Sequence, residues 1–177
     1  MNLWHDIPVG DNTPDEANVI VEISRGSKNK YEIDKETGII ALDRVMHTAQ
    51  DYPFDYGFFP QTYWHDDDAL DVIILTTYPL PIGIMAHVRP VALLKMVDDG
   101  DNDDKVIAVP TQDPRWSAVH DKSDINVHTL KEIEHFFSTY KQLQNKSVEI
   151  NGIEDAAAAK AALQEGIKLY KDSYPQK

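Results

Sequence analysis

Short apolar runs with a period of two dominate the first two thirds of the chain, and this period predicts β-strands. The first run covers residues 19–23 and places Glu22 on the face opposite its two valines. Alternation alone favours exposure of that glutamate to water. Later runs at 72–77, 86–97 and 106–109 are rich in Val, Ile and Leu, so they predict further strands.

Residues 30–34 and 39–45 have the pattern of a β-hairpin that turns at Gly38. The polar side chains of Lys30 and Glu32 fall on one face of this hairpin, because side chains alternate across a strand. That face is either the solvated side of a sheet or the lining of a site. The pattern alone favours the solvated side.

The last third of the chain changes to the period of amphipathic helices. A first helix is predicted at 129–143, opened by a capping box of Thr129 and Glu132, and a second at about 154–171. Strands followed by helices are typical of an α+β protein, here mainly β. A closed or nearly closed antiparallel barrel is the preferred sheet.

The composition indicates a single domain spanning 1–177, with an irregular lead-in at 1–15. A chain of 177 residues that is 42% hydrophobic can bury a core without disulfides, and it has no cysteine. Thiolate zinc sites and cysteine catalysis are thereby excluded. No apolar stretch approaches the length of a membrane span, so we expect a cytoplasmic protein without a membrane partner. A formal net charge of −13 disfavours nucleic acid as a partner.

The densest charge is the acidic run at 66–71, which has four aspartates in six residues and leads directly into a predicted strand. No Lys or Arg lies between Arg44 and Arg89 to neutralise it. A bound hard cation is therefore the natural counter-charge. Aspartate oxygens in a chain without cysteine suit Mg²⁺ or Mn²⁺.

A second acidic run, at 98–105, joins two predicted strands and is typical of a hairpin turn. A charged turn is most often only solvated. If the sheet is one piece, however, this turn brings Asp98, Asp103 and Lys105 to the same mouth as the first acidic run.

The aromatic segment at 52–60 contains two prolines and a glycine, which exclude a helix interior. Its default interpretation is a packed irregular segment, although the hydroxyls of Tyr52 and Tyr56 could also point into a site. The chain has no P-loop, dinucleotide-binding, serine-hydrolase or zinc-metalloprotease signature, and neither acidic run fits a calcium EF-hand loop. What remains is a carboxylate-lined site beside scattered Lys, Arg and Tyr, a set suited to metal-bound phosphate.

An ordered set of motifs extends this interpretation. The chain contains Asp66-x-Asp68-x-x-Asp71-Val72, Glu22, Lys30-Tyr-Glu32-Ile-Asp34-Lys35, Asp43-Arg44, Tyr52-Pro-x-x-Tyr56-Gly57, Asp98 through Asp103 with Lys105, and Phe137-x-x-Tyr140-Lys141. From about residue 16 to the C-terminus, this set resembles the soluble family I inorganic pyrophosphatases of the bacterial type. No single motif is decisive, and the specificity lies in the order and spacing of the whole set.

The resemblance implies a five-stranded, OB-like antiparallel barrel flanked by two C-terminal helices. It also implies Mg²⁺-dependent hydrolysis of pyrophosphate to two phosphates, with several Mg²⁺ per active site and Mn²⁺ as an alternative. The nucleophile would be a water or hydroxide that bridges two metals and attacks in line, while Asp68 takes its proton. The implied partners are pyrophosphate as substrate and further copies of the chain in a homo-oligomer, usually a hexamer in bacteria.

The family's functional residues carry over position by position. The implied metal ligands are Asp66, Asp71, Asp98, Asp103 and Glu32, with Glu22 in the surrounding acidic shell. The implied phosphate-binding groups are Lys30, Arg44, Tyr140 and Lys141, together with Tyr56 beside the nucleophile. Lys105 would pair within the metal site, and Tyr52 and Asp43 are implied supporting residues.

Two questions stay open at this level. The family motif usually reads Asp-x-Asp-Pro-x-Asp, whereas this chain has Ala69 at the proline position. Because proline stiffens a loop, Ala69→Pro is expected to be tolerated and slightly stabilising.

The second question is whether the chain is a non-catalytic barrel that binds divalent cations. Its basic and phenolic groups favour an enzyme, since a cation-binding site gains nothing from them.

Overall fold

The predicted strands and helices are present in the computed structural model, which describes residues 1–174. The expectation of a packed irregular segment at 52–60 is wrong for residues 55–58, which form a buried strand because they pair with a strand on each side. The strands are β1 (Ala17–Ile23), β2 (Asn29–Ile33), β3 (Ile40–Val45), β4 (Asp55–Phe58), β5 (Asp71–Ile74), β6 (Met85–Asp98), β7 (Asp101–Asn102), β8 (Lys105–Pro110) and β9 (Val148–Glu154). The α-helices are α1 (Val127–Thr139) and α2 (Ala156–Ser173). None of the helices in this range is long and apolar enough to cross a membrane.

Five strands close into a ring. β1, β4, β5, β8 and β6 pair in that order, and β6 pairs back with β1. β7 and β9 extend the sheet from β6, and β2 with β3 forms a separate hairpin. The mainly β, α+β architecture is thereby confirmed. The ring departs from a wholly antiparallel sheet in one place, where β5 and β8 run parallel because the chain passes through β6 before it returns.

Alternation along the strands divides the main core into two clusters. Ile73 of β5 belongs to one cluster, with Phe136 and Phe137 of α1. Its neighbour Val72 belongs to the other, with Leu163 of α2. Because adjacent side chains of a strand point to opposite faces, the two helices cover opposite faces of the ring strands. The prediction of two flanking helices is therefore confirmed.

Each helix begins after a side-chain cap, and for α1 this cap is not the one that the sequence pattern indicated. α1 begins after Asn126, whose side chain accepts a hydrogen bond from the backbone N–H of His128. The predicted capping box at Thr129 is wrong, because Asn126 caps the helix earlier and leaves Thr129 inside the first turn. The cap of α2 is Asp155, whose side chain accepts from the N–H of Ala158 at 3.0 Å.

The lead-in at 1–15 contains no helix or strand, and it packs on the ring. Trp4 is 1% exposed, and its indole N–H donates to the carbonyl of Thr62 at 2.8 Å. The carbonyl of Trp4 accepts from the N–H of Gln61 at 2.9 Å. These bonds hold the lead-in against the loop between β4 and β5, which contains the first acidic run.

β4 crosses β1 so closely that only glycine fits at position 57. A Cβ on Gly57 would lie 1.8 Å from the carbonyl oxygen of Ile20, well inside any permitted contact. The neighbouring Tyr56 is paired with Ile23 of β1 on one side and with Ile73 of β5 on the other. This crossing therefore brings a tyrosine of β4 beside the ends of β1 and β5, where the acidic side chains lie.

Candidate active site

A cavity of about 250 Å³ opens where the ends of the ring strands meet the β2–β3 hairpin and the residues after α1. It collects side chains that are far apart in the sequence. The predicted site residues in its lining are Glu22, Lys30, Glu32, Tyr52, Tyr56, Asp66, Asp68, Asp71, Asp98, Asp103, Lys105, Tyr140 and Lys141. Its carboxylates, with Asp66, Asp71, Asp98 and Asp103 as the acidic wall, are interleaved with ammonium and phenol groups, since Lys105, Lys141 and Tyr56 contact them.

Two predicted residues, Arg44 and Asp43, are not among the residues that line the cavity. The guanidinium of Arg44 donates to Oδ2 of Asp43 at 2.5 Å, and Nζ of Lys30 lies 3.5 Å from the same oxygen. Strand register places Arg44 directly opposite Lys30 on the hairpin. Arg44 and Asp43 thus lie beside the cavity and next to Lys30, which does line it.

Lys105 is the cation at the centre of the acidic wall. Its side chain is 2% exposed and donates to Oδ2 of Asp71 and Oδ1 of Asp103, each at 2.7 Å. Burial alone would lower the pKa of Lys105, but the two carboxylates more than offset burial and hold that pKa well above its usual value. The hydroxyl of Tyr56 donates to Asp71 as well. These contacts fix the direction of both carboxylates.

The carboxylates of Asp66 and Asp98 are only partly compensated within the described residues. Burial, with Asp71 and Asp103 nearby, raises the pKa of Asp66 to about 7. Oδ2 of Asp98 contacts Lys141 and lies 3.3 Å from the hydroxyl of Tyr140, whereas its buried Oδ1 has no hydrogen-bond partner among residues 1–174. A buried carboxylate oxygen without a donor is costly, and a cation would satisfy it.

The donor set fits a hard divalent cation, although the side chains are not already gathered around one point. Within the described part of the chain, no group of three or more Asp, Glu or His side chains is arranged to hold a metal ion. The lysine contacts use one oxygen of each of Asp71, Asp98 and Asp103. The second oxygen of each carboxylate is what a cation would take, and oxygen ligands are those that Mg²⁺ and Mn²⁺ prefer.

Glu22 is buried, so the expectation that it faces water is wrong. It is 4% exposed, and its Oε1 accepts a hydrogen bond from the N–H of Ile33 at 2.7 Å. Burial, followed by the nearby charge of Asp71, raises its pKa well above the usual value. The physical reason is that the β2–β3 hairpin packs over this face of β1. The same packing turns Lys30 and Glu32 toward the cavity, although alternation had favoured a solvated face for them.

Asp68 is held at both carboxylate oxygens. Oδ1 accepts from the N–H of Ala69 at 2.8 Å, and Nζ of Lys35 lies 3.2 Å from Oδ2. Burial and the charge of Asp71 raise the pKa of Asp68, while Lys35 and the Ala69 N–H oppose that rise. The carboxylate therefore points into the cavity from a fixed position.

Sequence reasoning assigned no role to several residues of the site. Asp99 and Asp101 line the cavity, and only their place in the second acidic run could have indicated this. Lys35 was part of a quoted motif, but no pattern reveals its contact with Asp68. Asp67 lies outside the lining and accepts instead from the hydroxyl of Tyr63 at 2.7 Å.

Carboxylates for cations beside ammonium and phenol groups for anionic oxygens, all lining one cavity, indicate a class of protein: an enzyme that acts on a phosphate compound. The sequence profile described as inorganic pyrophosphatase matches residues 19–171. This chain belongs to the inorganic pyrophosphatase family, whose members hydrolyse pyrophosphate.

Individual relatives are similar in sequence to this chain over nearly its whole length. The inorganic pyrophosphatase of Haloferax volcanii is 49% identical over 178 residues, which cover 98% of this chain and 99% of the relative. The soluble inorganic pyrophosphatase of Zea mays is 42% identical over 94% of this chain and 78% of its own length. The crystal structure of the inorganic pyrophosphatase of Thermus thermophilus superposes with a TM-score of 0.93 at 44% identity, covering 97% of this chain and 99% of that one.

Proposed function

We propose that the chain hydrolyses pyrophosphate to two phosphates in a Mg²⁺-dependent reaction, with Asp68 as the general base. Family membership supports the reaction itself. The observation that supports the rest is that one cavity is lined both by carboxylates and by ammonium and phenol groups. Such a cavity suits a substrate that arrives as a cation-bound polyanion.

The cations are expected on the acidic wall. We assign Asp66, Asp71, Asp98 and Asp103 as their ligands, with Glu32 near a cation that arrives with the substrate. When bound, divalent cations lower the pKa of water and offset the charge of phosphoryl oxygens. Glu22, buried behind these groups, helps to set the charge of the acidic shell.

The phosphate groups are expected beside the ammonium and phenol groups of the lining. Lys30, Lys141 and the hydroxyl of Tyr140 are among these groups and can hold phosphoryl oxygens by charge-assisted hydrogen bonds. Arg44 can join them if its guanidinium turns from its contact within the hairpin. These groups stabilise the negative charge that develops on the departing phosphate.

Asp68 is placed to receive the proton of the attacking water. It lines the cavity next to Asp66 and Asp71, so water held between those groups lies within reach of its carboxylate. Tyr56 orients Asp71 by its hydrogen bond and closes the same end of the cavity. The reaction then needs no covalent intermediate with the chain.

Phosphate release from pyrophosphate by the purified chain tests this proposal. We expect two phosphates for each pyrophosphate consumed in Mg²⁺ or Mn²⁺, and loss of the activity in EDTA. A chain that released no phosphate with either cation would leave only a non-catalytic cation-binding protein and would end the proposal.

We also infer that the chain forms a homo-oligomer, a hexamer as in the bacterial type, and works in the cytoplasm. Large apolar side chains of Tyr78, Ile82 and Met85 are exposed close together in the sequence, as is typical of a contact surface. Light scattering after gel filtration is expected to show six copies of the 20.1 kDa chain. A monomer at micromolar concentration would contradict the oligomer.

A further inference from the structure

The ammonium group of Lys35 reaches the acidic loop from outside the cavity. Lys35 follows β2 in the turn of the hairpin, and the residues that line the cavity do not include it. Its Nζ donates to the carbonyl of Asp67 at 2.8 Å and lies 3.2 Å from Oδ2 of Asp68. Asp67 has a φ of 64°, which is unfavourable for a residue other than glycine, so contacts such as this one must hold the loop.

The other oxygen of Asp68 is held by the backbone. Oδ1 accepts the hydrogen bond from the N–H of Ala69 at 2.8 Å. Proline, which the family motif usually carries at this position, has no N–H and cannot make this bond. Ala69 is buried in a cluster with Trp4 and Phe58, so the donor is fixed in place by packing.

Trp4 provides a surface on which Lys35 rests. Nζ of Lys35 lies 5.8 Å from the centroid of the Trp4 ring, a distance at which the ring face attracts a cation. The ring itself is fixed by its hydrogen bond to Thr62 and by nearly complete burial. The lead-in, the hairpin turn and the acidic loop therefore meet at one lysine.

We propose that Lys35 and the N–H of Ala69 are positioning groups that each hold one oxygen of Asp68 and so direct its carboxylate at the attacking water. This inference rests on the proposed role of Asp68 as the base. An exposed ion pair contributes little to stability, and the Lys35 side chain is 48% exposed. Its expected contribution is therefore to the rate of hydrolysis and not to folding.

Lys35→Met removes the charge and keeps the length of the side chain, and Lys35→Arg supplies a donor of similar reach. We expect kcat to fall about tenfold in Lys35→Met, because a displaced base loses part of its contribution. KM should stay within about twofold, and Tm within about 3 °C. Lys35→Arg should recover about half of kcat or more. The control is Lys160→Met on α2, which breaks an ion pair with Asp15 of the lead-in and should retain the wild-type kcat.

Ala69→Pro removes the second donor, and Ala69→Val is its matched control. Valine adds as many carbon atoms as proline but keeps the N–H. Both substitutions add bulk at a buried position and lower Tm, whereas only proline should lower kcat further, by about three- to tenfold relative to valine. If Ala69→Pro does not fold, the two Lys35 variants decide the proposal.

Equal kcat values for Lys35→Met and Lys160→Met would overturn the positioning role of Lys35, as would a rise in KM with kcat unchanged. Equal kcat values for Ala69→Pro and Ala69→Val would overturn the role of the Ala69 N–H. Failure of the proposed function looks different, because the wild-type chain itself would then release no phosphate.

Discussion

Lys105 is the main counter-charge of the acidic wall, and replacing it measures how strongly that wall depends on positive charge. The lysine is 2% exposed and lies 2.7 Å from an oxygen of both Asp71 and Asp103. Lys105→Met keeps most of the volume but removes the cationic partner of both carboxylates and leaves Asp71 with the hydroxyl of Tyr56. Breaking a buried ion pair costs about 3–5 kcal/mol. At this chain length that corresponds to a fall in Tm of about 6–20 °C.

Mg²⁺ should restore part of this loss. A ligand that binds only the folded state at a hundredfold excess over Kd stabilises by about 2.7 kcal/mol. Because Lys105 and a bound cation compensate the same two carboxylates, the gain in Tm from Mg²⁺ should be larger in Lys105→Met than in the wild type.

The loss of stability in Lys105→Met should also depend on pH. Lys105 lowers the pKa of Asp103, so its removal raises the folded-state pKa of that carboxyl further above the unfolded value. A group with a raised folded-state pKa contributes stability at low pH and loses it as the pH rises through that pKa. The deficit of Lys105→Met should therefore be larger at pH 8 than at pH 5.

Calorimetry in EDTA and in Mg²⁺, at both pH values, measures all three effects. Lys28→Met is the control, since it breaks an exposed pair with Asp51 and should change stability by less than about 1 kcal/mol. If Lys105→Met lost no more Tm in EDTA than Lys28→Met, or if Mg²⁺ raised the Tm of variant and wild type equally, the electrostatic reasoning would be refuted.

Three further substitutions test other parts of the site. Because the pKa of Asp66 is raised to about 7, its contribution to metal-free stability is present below about pH 4 and lost as the pH rises through 7. In EDTA, Asp66→Asn should thus lose less Tm than the wild type between pH 5 and 8, and identical pH profiles would count against this. Gly57→Ala places a Cβ 1.8 Å from a carbonyl oxygen of β1, so urea titration should show no folded protein or a loss above about 4 kcal/mol. A wild-type urea midpoint would contradict the strand crossing. Glu22→Gln should lose less Tm than the wild type as the pH rises in EDTA, because burial and the nearby charge of Asp71 raise the folded-state pKa of Glu22. Identical pH profiles of variant and wild type would contradict this.

Both helices and most strands were predictable because each has a clear hydrophobic period, whereas β4 lies in a segment whose prolines and glycine favoured an irregular structure. The pairing of the strands was not predictable. Alternation identifies a strand without naming its partners. The parallel pairing of β5 with β8 arises from the path of the chain through β6, which no local pattern encodes. The start of α1 was misplaced for a related reason: Asn126 and Thr129 are both good caps, and only tertiary context selects between them.

Residue types and spacing were enough to propose most of the site, whereas burial and hydrogen bonding were not readable from them. Glu22 is buried because a separate hairpin covers β1, and this packing is a long-range contact. Ala69 could not be interpreted from the sequence, since its contribution is a backbone N–H. That bond argues against the expectation that Ala69→Pro is harmless. Lys35 was overlooked because its partner lies on another loop.

The most direct test of the central claim is the single-turnover rate of pyrophosphate cleavage by Asp68→Asn at saturating Mg²⁺, with the enzyme in excess over the substrate and at a saturating concentration. Asp67→Asn is the control, because its side chain lies outside the cavity lining beside Tyr63. The predicted result is a rate about 10²–10⁴-fold below wild type for Asp68→Asn, with a near wild-type rate for Asp67→Asn. Cleavage by Asp68→Asn at the wild-type rate would contradict the assignment of Asp68 as the base.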